Sequence, residues 1–229
     1  IIELKAITKN YDNKKKIKVL NNLNFKFIKG KIYSLIGPSG SGKSTLLNLL
    51  SLIDRPSNGK ILINNKDINF QNNIINDEIR AKNIGIIYQD KNLLSDFSAL
   101  ENVYLARLAV ENNKDKAIED SKKIIDKLGL KNRKDHFPSE LSGGEAQRVA
   151  ICRALINSPN IILADEPTGN LDHKNSKEIF KNLFKLRNKD RLIIFATHNR
   201  YFANLADCKI SLINGKIKLI NARIKNKFV

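Results

Sequence analysis

Methionine and tryptophan are absent from this sequence, the initiator position included, and cysteine occurs only twice in 229 residues. Cys152 and Cys208 stand far apart. Without metal-type spacing they exclude a zinc framework, and two thiols make no disulfide scaffold, so the pair suits a reducing compartment. Both are expected as small core residues. Nowhere do about 18 apolar residues run together, so no membrane-spanning helix is expected. No charged-then-apolar leader is read at the start. Acidic side chains are scarce: 23 Asp and Glu stand against 41 Lys and Arg, a net charge of +18. Such a balance invites a nucleic-acid reading. The lysines are spread along the chain, however, with small clusters at Lys14–Lys16 and from Lys216 to Lys227, and aromatics make up only 7%. No specific nucleic-acid partner is expected, and the surplus charge suits a place beside anionic lipid headgroups.

What is present is concentrated in a few segments. Residues 37–45 read GPSGSGKST, after the apolar run Ile32–Ile36 and before a helical pattern over Thr45–Ile53. The string fits G-x-x-x-x-G-K-[ST], and strand, glycine loop, helix is the context that makes it a phosphate site. Gly37, Gly40 and Gly42 let backbone N–H groups turn inward, and the helix start adds its unpaired N–H groups. Pro38, Ser39, Ser41 and Thr45 complete the cradle. Lys43 is expected on the β- and γ-phosphates, and the Ser44 hydroxyl on Mg²⁺. A second apolar run, Ile161–Ala164, ends in Asp165 and Glu166. A strand delivering a carboxylate beside a P-loop supplies another Mg²⁺ contact, here Asp165. Glu166 is then placed to act as general base on a water in line with the γ-phosphate. His198 follows the run Leu192–Ala196 and is expected to hydrogen-bond the γ-phosphate.

These segments, with Gln89, LSGGE at Leu141–Glu145 and GNLD at Gly169–Asp172, resemble over essentially the whole chain the nucleotide-binding subunit of an ABC transporter. LSGGE separates that family from other P-loop NTPases. A finer resemblance lies in ADEPTGNLD at Ala164–Asp172 and LLSDFSALENV at Leu93–Val103, which look like the lipoprotein-releasing branch and its macrolide-exporter and cell-division relatives. The chain departs from that branch at Asp90–Ser95, where DKNLLS replaces an aromatic- and His-rich stretch with a proline. It departs again at Asn199, where Asp is common, and at Ala146, where a larger polar residue is common.

The resemblance implies an ATPase that takes ATP and Mg²⁺ and works as a homodimer. Ser142, Gly143 and Gly144 would contact the γ-phosphate held by the second copy, with Asp172 at the interface. Tyr11 lies where the family stacks an aromatic on adenine. Gln89 would touch the metal or the attacking water from one side and a helical insertion from the other. Separate transmembrane permease chains would dock near Gln89–Glu101, with Leu94 and Phe97 as anchors, and hold the chain at the cytoplasmic face of the bacterial inner membrane. The main alternative is a cell-division or macrolide-efflux ATPase. A non-transport protein acting on DNA or ribosomes fits less well, because the chain has one cassette and a short insertion.

Periodicity supplies the frame. Ile2, Leu4 and Ala6 alternate, as do Leu23, Phe25 and Phe27, and both segments read as half-buried strands. With Lys60–Ile63 and Ile32–Ile36 they are expected to form an N-terminal β-rich lobe around the P-loop. Gly85–Tyr88 reads as a short buried strand ending at Gln89. Helices are expected over Glu101–Val110, Lys114–Leu128 and Gly143–Asn157, the last capped by Ser142 and followed by Pro159. Lys209–Ile213 and Lys216–Ile220 flank Asn214-Gly215, a type I′ hairpin signal. The tail from Ala222 is read as basic and frayed. The fold class is α/β, which the resemblance refines to a RecA-like P-loop NTPase core with an antiparallel β-subdomain and an inserted α-helical subdomain. The core and β-subdomain would span 1–89 and 160–229, and the helical subdomain 90–159.

Overall fold

A computed structural model describes residues 1–12, 16–169 and 171–222. The lysine cluster at 14–16 and the tail expected to fray lie largely outside them.

Among the described residues, two sheets carry the helices. The larger sheet has six strands in the order β10-β9-β3-β8-β7-β6. They are β3 Ile32–Ile36, β6 Ile84–Ile87, β7 Ile161–Asp165, β8 Leu192–Ala196, β9 Cys208–Ile213 and β10 Lys216–Ala222. All neighbours run parallel except the β9–β10 hairpin. Its turn residues, Asn214 and Gly215, both have positive φ, as a type I′ turn demands. The smaller sheet is antiparallel, in the order β2-β1-β4-β5, from β1 Ile2–Asp12, β2 Lys16–Phe27, β4 Asn58–Ile63 and β5 Lys66–Asp67.

The strand expected to join the N-terminal lobe, Ile32–Ile36, instead sits in the larger sheet between β9 and β8. The reason is in its pattern. It is buried at four successive positions, as a strand covered on both faces must be, whereas the half-buried strands of the small sheet alternate. Along the large sheet the two faces separate with period two. Leu35, Leu163, Ile194 and Leu212 pack with Leu46, Leu49 and Leu50 of α1 (Lys43–Leu50) and with the small sheet. Ile162, Ile193 and Phe195 face Ile179, Phe180 and Leu183 of α6 (His173–Lys185) and Phe202 of α7 (Arg200–Ala203). Cys152 and Cys208 are both buried.

Between β6 and β7 the chain leaves for α3 (Ala99–Leu108), α4 (Lys114–Lys127) and α5 (Gly143–Leu155), then returns to the strand that pairs with β6. These helices share their own core of Val103, Ile125, Leu130, Val149, Cys152 and Ile156. The expected start of α3 at Glu101 moves forward to Ala99, because Ser98 and Glu101 close a capping box. Buried Asn102 pins the preceding loop. Its amide donates to the carbonyls of Leu94, Phe97 and Ser98, and its oxygen accepts from Leu94 N. Arg153 of α5 ties the same loop at the carbonyls of Lys91 and Asn92, at 2.7 and 2.5 Å. Leu94 and Phe97 remain exposed.

The excursion packs closely where it meets β6. A Cβ on Gly85 would lie 2.3 Å from the Ala154 carbonyl oxygen and 2.9 Å from Pro159 Cγ. Gly85→Ala is therefore expected to destabilise the chain by about 2 kcal/mol, the usual cost of overpacking against backbone. A urea titration checks it: an unchanged midpoint means α5 yields freely.

Candidate functional site

The P-loop begins where β3 ends and stops where α1 starts. Gly42 caps α1 with φ 98°, a left-handed conformation that side chains resist. A Cβ there would also meet Val19 and Leu20 of β2 at 2.9 and 3.0 Å. Lys43, buried although charged, donates from Nζ to the carbonyls of Gly37 (2.9 Å) and Pro38 (3.0 Å). The Ser41 hydroxyl is buried without a partner.

A cavity of about 350 Å³ is lined by Ser39, Gly40, Gly42, Lys43, Ser44, Thr45, Gln89, Asp165, Glu166 and His198. The strand ends explain the convergence. β7 lies one strand from β3, with β8 between them, so its terminal Asp165 and the following Glu166 open beside the P-loop, and His198 follows β8 on the same edge. The Gln89 side chain, just past β6, packs against Gly169. Val19 also lines the cavity, a member that no motif announced.

Glu166 is held under strain in a dry place. Its φ is 42°, its N–H donates to the Ala196 carbonyl at 3.1 Å, and its Oε1 is buried without a hydrogen bond. His198 Nε2 stands 3.5 Å from that oxygen, a distance that gives charge proximity without a made hydrogen bond. Burial pushes the Glu166 carboxyl above its ordinary value. The nearby His198 and Lys43 oppose this and Asp165 reinforces it. A raised carboxylate aimed into a phosphate cavity has the character of a base.

Ser44, Gln89 and Asp165 offer only oxygen donors of the hard kind to a cation, with Lys43 alongside. No cluster of three or more His, Cys, Asp or Glu exists among the described residues. Such a set fits Mg²⁺, which takes few protein ligands and keeps phosphates and waters for the rest.

The remaining candidates stand apart. Gly37 lines a neighbouring cavity of about 500 Å³ with Thr197, His198 and Arg200. Tyr11 lies on β1 opposite Ile17. Ser142 caps α5 in a box with Glu145, whose carboxyl drops to about 2 under the hydrogen bonds of Arg133 and Ser142. Asp172 caps α6 by accepting from Asn175 N at 2.9 Å. These two helix starts adjoin: a Cβ on Gly144 would lie 3.0 Å from Asn175 Oδ1, and one on Gly143 3.5 Å from Leu171 Cδ2. None of Ser142, Gly143, Gly144 or Asp172 is among the described residues lining the P-loop cavity.

Such a cassette of P-loop, paired carboxylates and a remote serine-capped helix that opens on two glycines defines a class, and comparison with known proteins agrees. The ABC transporter family matches residues 20–169, and the chain belongs to it as one of its nucleotide-binding, ATP-hydrolysing subunits. Among curated relatives it is similar to the "Lipoprotein-releasing system ATP-binding protein LolD" of Rickettsia bellii. The two are 44% identical over 221 residues, covering 96% of this chain and 98% of that one. The protein of the same name from Wigglesworthia glossinidia brevipalpis is 46% identical over 219 residues, covering 95% and 96%. Among solved structures, the ATP-binding cassette MJ0796, in a dimeric post-hydrolysis state bound to ADP and Pi, superposes with a TM-score of 0.89. It shares 34% identity, with 97% of this chain and all of that one covered.

Proposed function

We propose that this chain is the ATPase of a lipoprotein-releasing ABC system, a homodimer docked on separate permease chains at the cytoplasmic face of the bacterial inner membrane. The observation that carries the reading is the single cavity in which Lys43, Ser44, Gln89, Asp165, Glu166 and His198 meet. Relatives named for lipoprotein release align along nearly the whole chain.

In this reading, residues Gly37 to Thr45 cradle the phosphates of ATP, with Lys43 leaving its two carbonyls for the β- and γ-oxygens. Ser44, Asp165 and Gln89 would hold Mg²⁺, which would supply positive charge against the phosphates. Glu166 takes the proton of the attacking water, and His198 holds the γ-phosphate. Tyr11 stacks on adenine. Ser142, Gly143 and Gly144 present a helix N-terminus to the partner copy's nucleotide, and Asp172 lies at that interface. Their absence from the lining of the chain's own P-loop cavity supports work in trans. The core and β-subdomain take 1–89 and 160–229, and the helical subdomain takes 90–159. Its loop with Leu94 and Phe97, pinned by Asn102 and Arg153, is the permease contact.

No helix among the described residues is long and apolar enough to cross a membrane. Attachment by surface charge and attachment by a permease are separated by salt. Attraction to headgroups is worth about 1 kcal/mol per nearby Lys or Arg and is screened by salt. Apolar docking of Leu94 and Phe97 is not weakened by it. Washed membranes are expected to keep the chain in high salt and to lose it on Phe97→Asp, with lipoprotein-releasing permeases identified among the copurifying chains. Full release in salt with no effect of Phe97→Asp would make the basic surface the anchor and remove the permease assignment.

A further inference from the structure

Near its end β1 carries Lys9 and Tyr11 two residues apart, and both side chains reach Asp54. Lys9 is only 8% exposed, a state lysine adopts almost only when paired. Its Nζ donates to Asp54 Oδ1 at 2.6 Å and to the Arg55 carbonyl at 2.9 Å. The other oxygen of the same carboxylate, Oδ2, accepts the Tyr11 hydroxyl at 3.0 Å. Lys9 Nζ also stands 4.8 Å from the centroid of the Tyr11 ring, within cation–π reach. One carboxylate thus bridges the lysine and the tyrosine. The ring is fixed at its hydroxyl end and covered on one face by a cation, while 37% of the residue stays exposed.

The anchor has a telling origin. Asp54 follows α1, and its N–H donates to the Asn48 carbonyl within that helix. The helix that opens at the P-loop with Lys43 therefore also holds, past its far end, the group that fixes Tyr11. On the strand side, Tyr11 opposes Ile17, and Val19, two residues further along β2, lines the P-loop cavity. A register shift between Lys9 and Asn10 leaves Val19 outside the pairing, so the strand that pairs with Tyr11 also sends a side chain to the cavity. Burial alone would push the Asp54 carboxyl up, but the hydrogen bonds from Lys9, Arg55 N and Tyr11 outweigh it and hold it below the ordinary value. An ionised carboxylate only accepts, so Tyr11 must donate, and the direction of the tether is fixed.

We propose, on the reading of Tyr11 as the adenine platform, that Lys9 and Asp54 are positioning residues that lock the ring in its stacking orientation and set it in register with the phosphate cradle through α1. An aromatic that is already immobile loses little freedom when a base stacks on it. The tether thus serves affinity for the base and does nothing for the phosphates.

That split is the test. ATP and inorganic tripolyphosphate are titrated separately onto the full chain and its variants by equilibrium binding. Tyr11→Ala is expected to weaken ATP about tenfold, the usual worth of one stacked base, and to leave tripolyphosphate unchanged. Lys9→Met and Asp54→Asn each weaken ATP about threefold, the scale of one lost hydrogen bond, again without effect on tripolyphosphate. Neither adds anything in the Tyr11→Ala background. Tyr11→Phe, which keeps the ring and removes only the tether, falls with them, and it carries the test should the Lys9 or Asp54 variants fail to fold. If Tyr11→Ala leaves ATP affinity intact, the stacking reading falls and the inference with it. If Tyr11→Ala weakens ATP while Tyr11→Phe, Lys9→Met and Asp54→Asn do not, the reading stands and the positioning role is wrong. Equal weakening of both ligands would mark the cluster as support for the fold alone.

Discussion

Glu166→Gln is expected to bind ATP as the parent does and to hydrolyse it at least about 100-fold more slowly, the usual contribution of a positioned general base. The amide keeps the shape of the carboxylate and removes its basicity. The side chain sits in a buried place with one oxygen unpartnered, so little else changes. With hydrolysis stopped, the variant should accumulate as an ATP-bound dimer, visible by size exclusion in the presence of ATP. Near-parental turnover would remove Glu166 from the role. The parent carries a second signature. Glu166 must be ionised to act, and its carboxyl is raised above the ordinary 4.5, chiefly by burial. Turnover should therefore decline on the acid side at a pH above that value, recovering as pH rises through the raised pKa.

The other large effect concerns Lys43 and Ser142 together. Lys43→Ala removes the main cationic partner of the phosphates and should abolish measurable ATP affinity at that P-loop. Ser142→Arg places a bulky cation at the start of α5, where the reading puts the partner's γ-phosphate. Each variant alone damages both composite sites of a homodimer and should be inactive. Mixed, they form heterodimers in which one site has an intact Lys43 from one copy and an intact Ser142 from the other. Part of the ATPase activity should then return, provided one complete site turns over. Should Ser142→Arg alone retain full activity, or should mixing return nothing where heterodimers are shown to form, the trans arrangement would be lost.

Most of the candidate site was legible because its members sit in motifs that strand ends bring together. GPSGSGKST, Asp165-Glu166 and His198 each stand at the end of an apolar run, and the runs are neighbouring parallel strands of one sheet. Sheet membership was less legible. Ile32–Ile36 reads as a strand in either sheet until its burial on both faces is weighed. Among the helices, α2 (Asn73–Asn83) carries little of a stripe to read: Asn76 is buried and Ile79 packs partly against the core, while Ile74 and Ile75 face out. α6 does carry one, at Ser176, Ile179, Phe180 and Leu183, behind an Asp172 cap. Asp172 stands out as part of GNLD, and the same residue is a plain capping signal for the helix that follows. Contacts across long stretches of chain left no trace in the sequence at all. The approach of Gly144 to Asn175 and the bridge from Lys9 through Asp54 to Tyr11 join residues some 30 to 45 positions apart, and no local pattern encodes such a meeting.

The grip of Arg153 on Lys91 and Asn92 has a mechanical meaning. It welds the loop bearing Leu94 and Phe97 to α5, a rod roughly 20 Å long at 1.5 Å per residue, whose opposite end carries Ser142. Loop and rod are thereby tied together, and Gln89, two residues before Lys91, stands just outside the tie. On the proposed permease contact, a load applied at Leu94 would reach Ser142 as displacement instead of being absorbed in the loop. Loosening the weld would leave both ends intact and disconnect them, as slack in a linkage does.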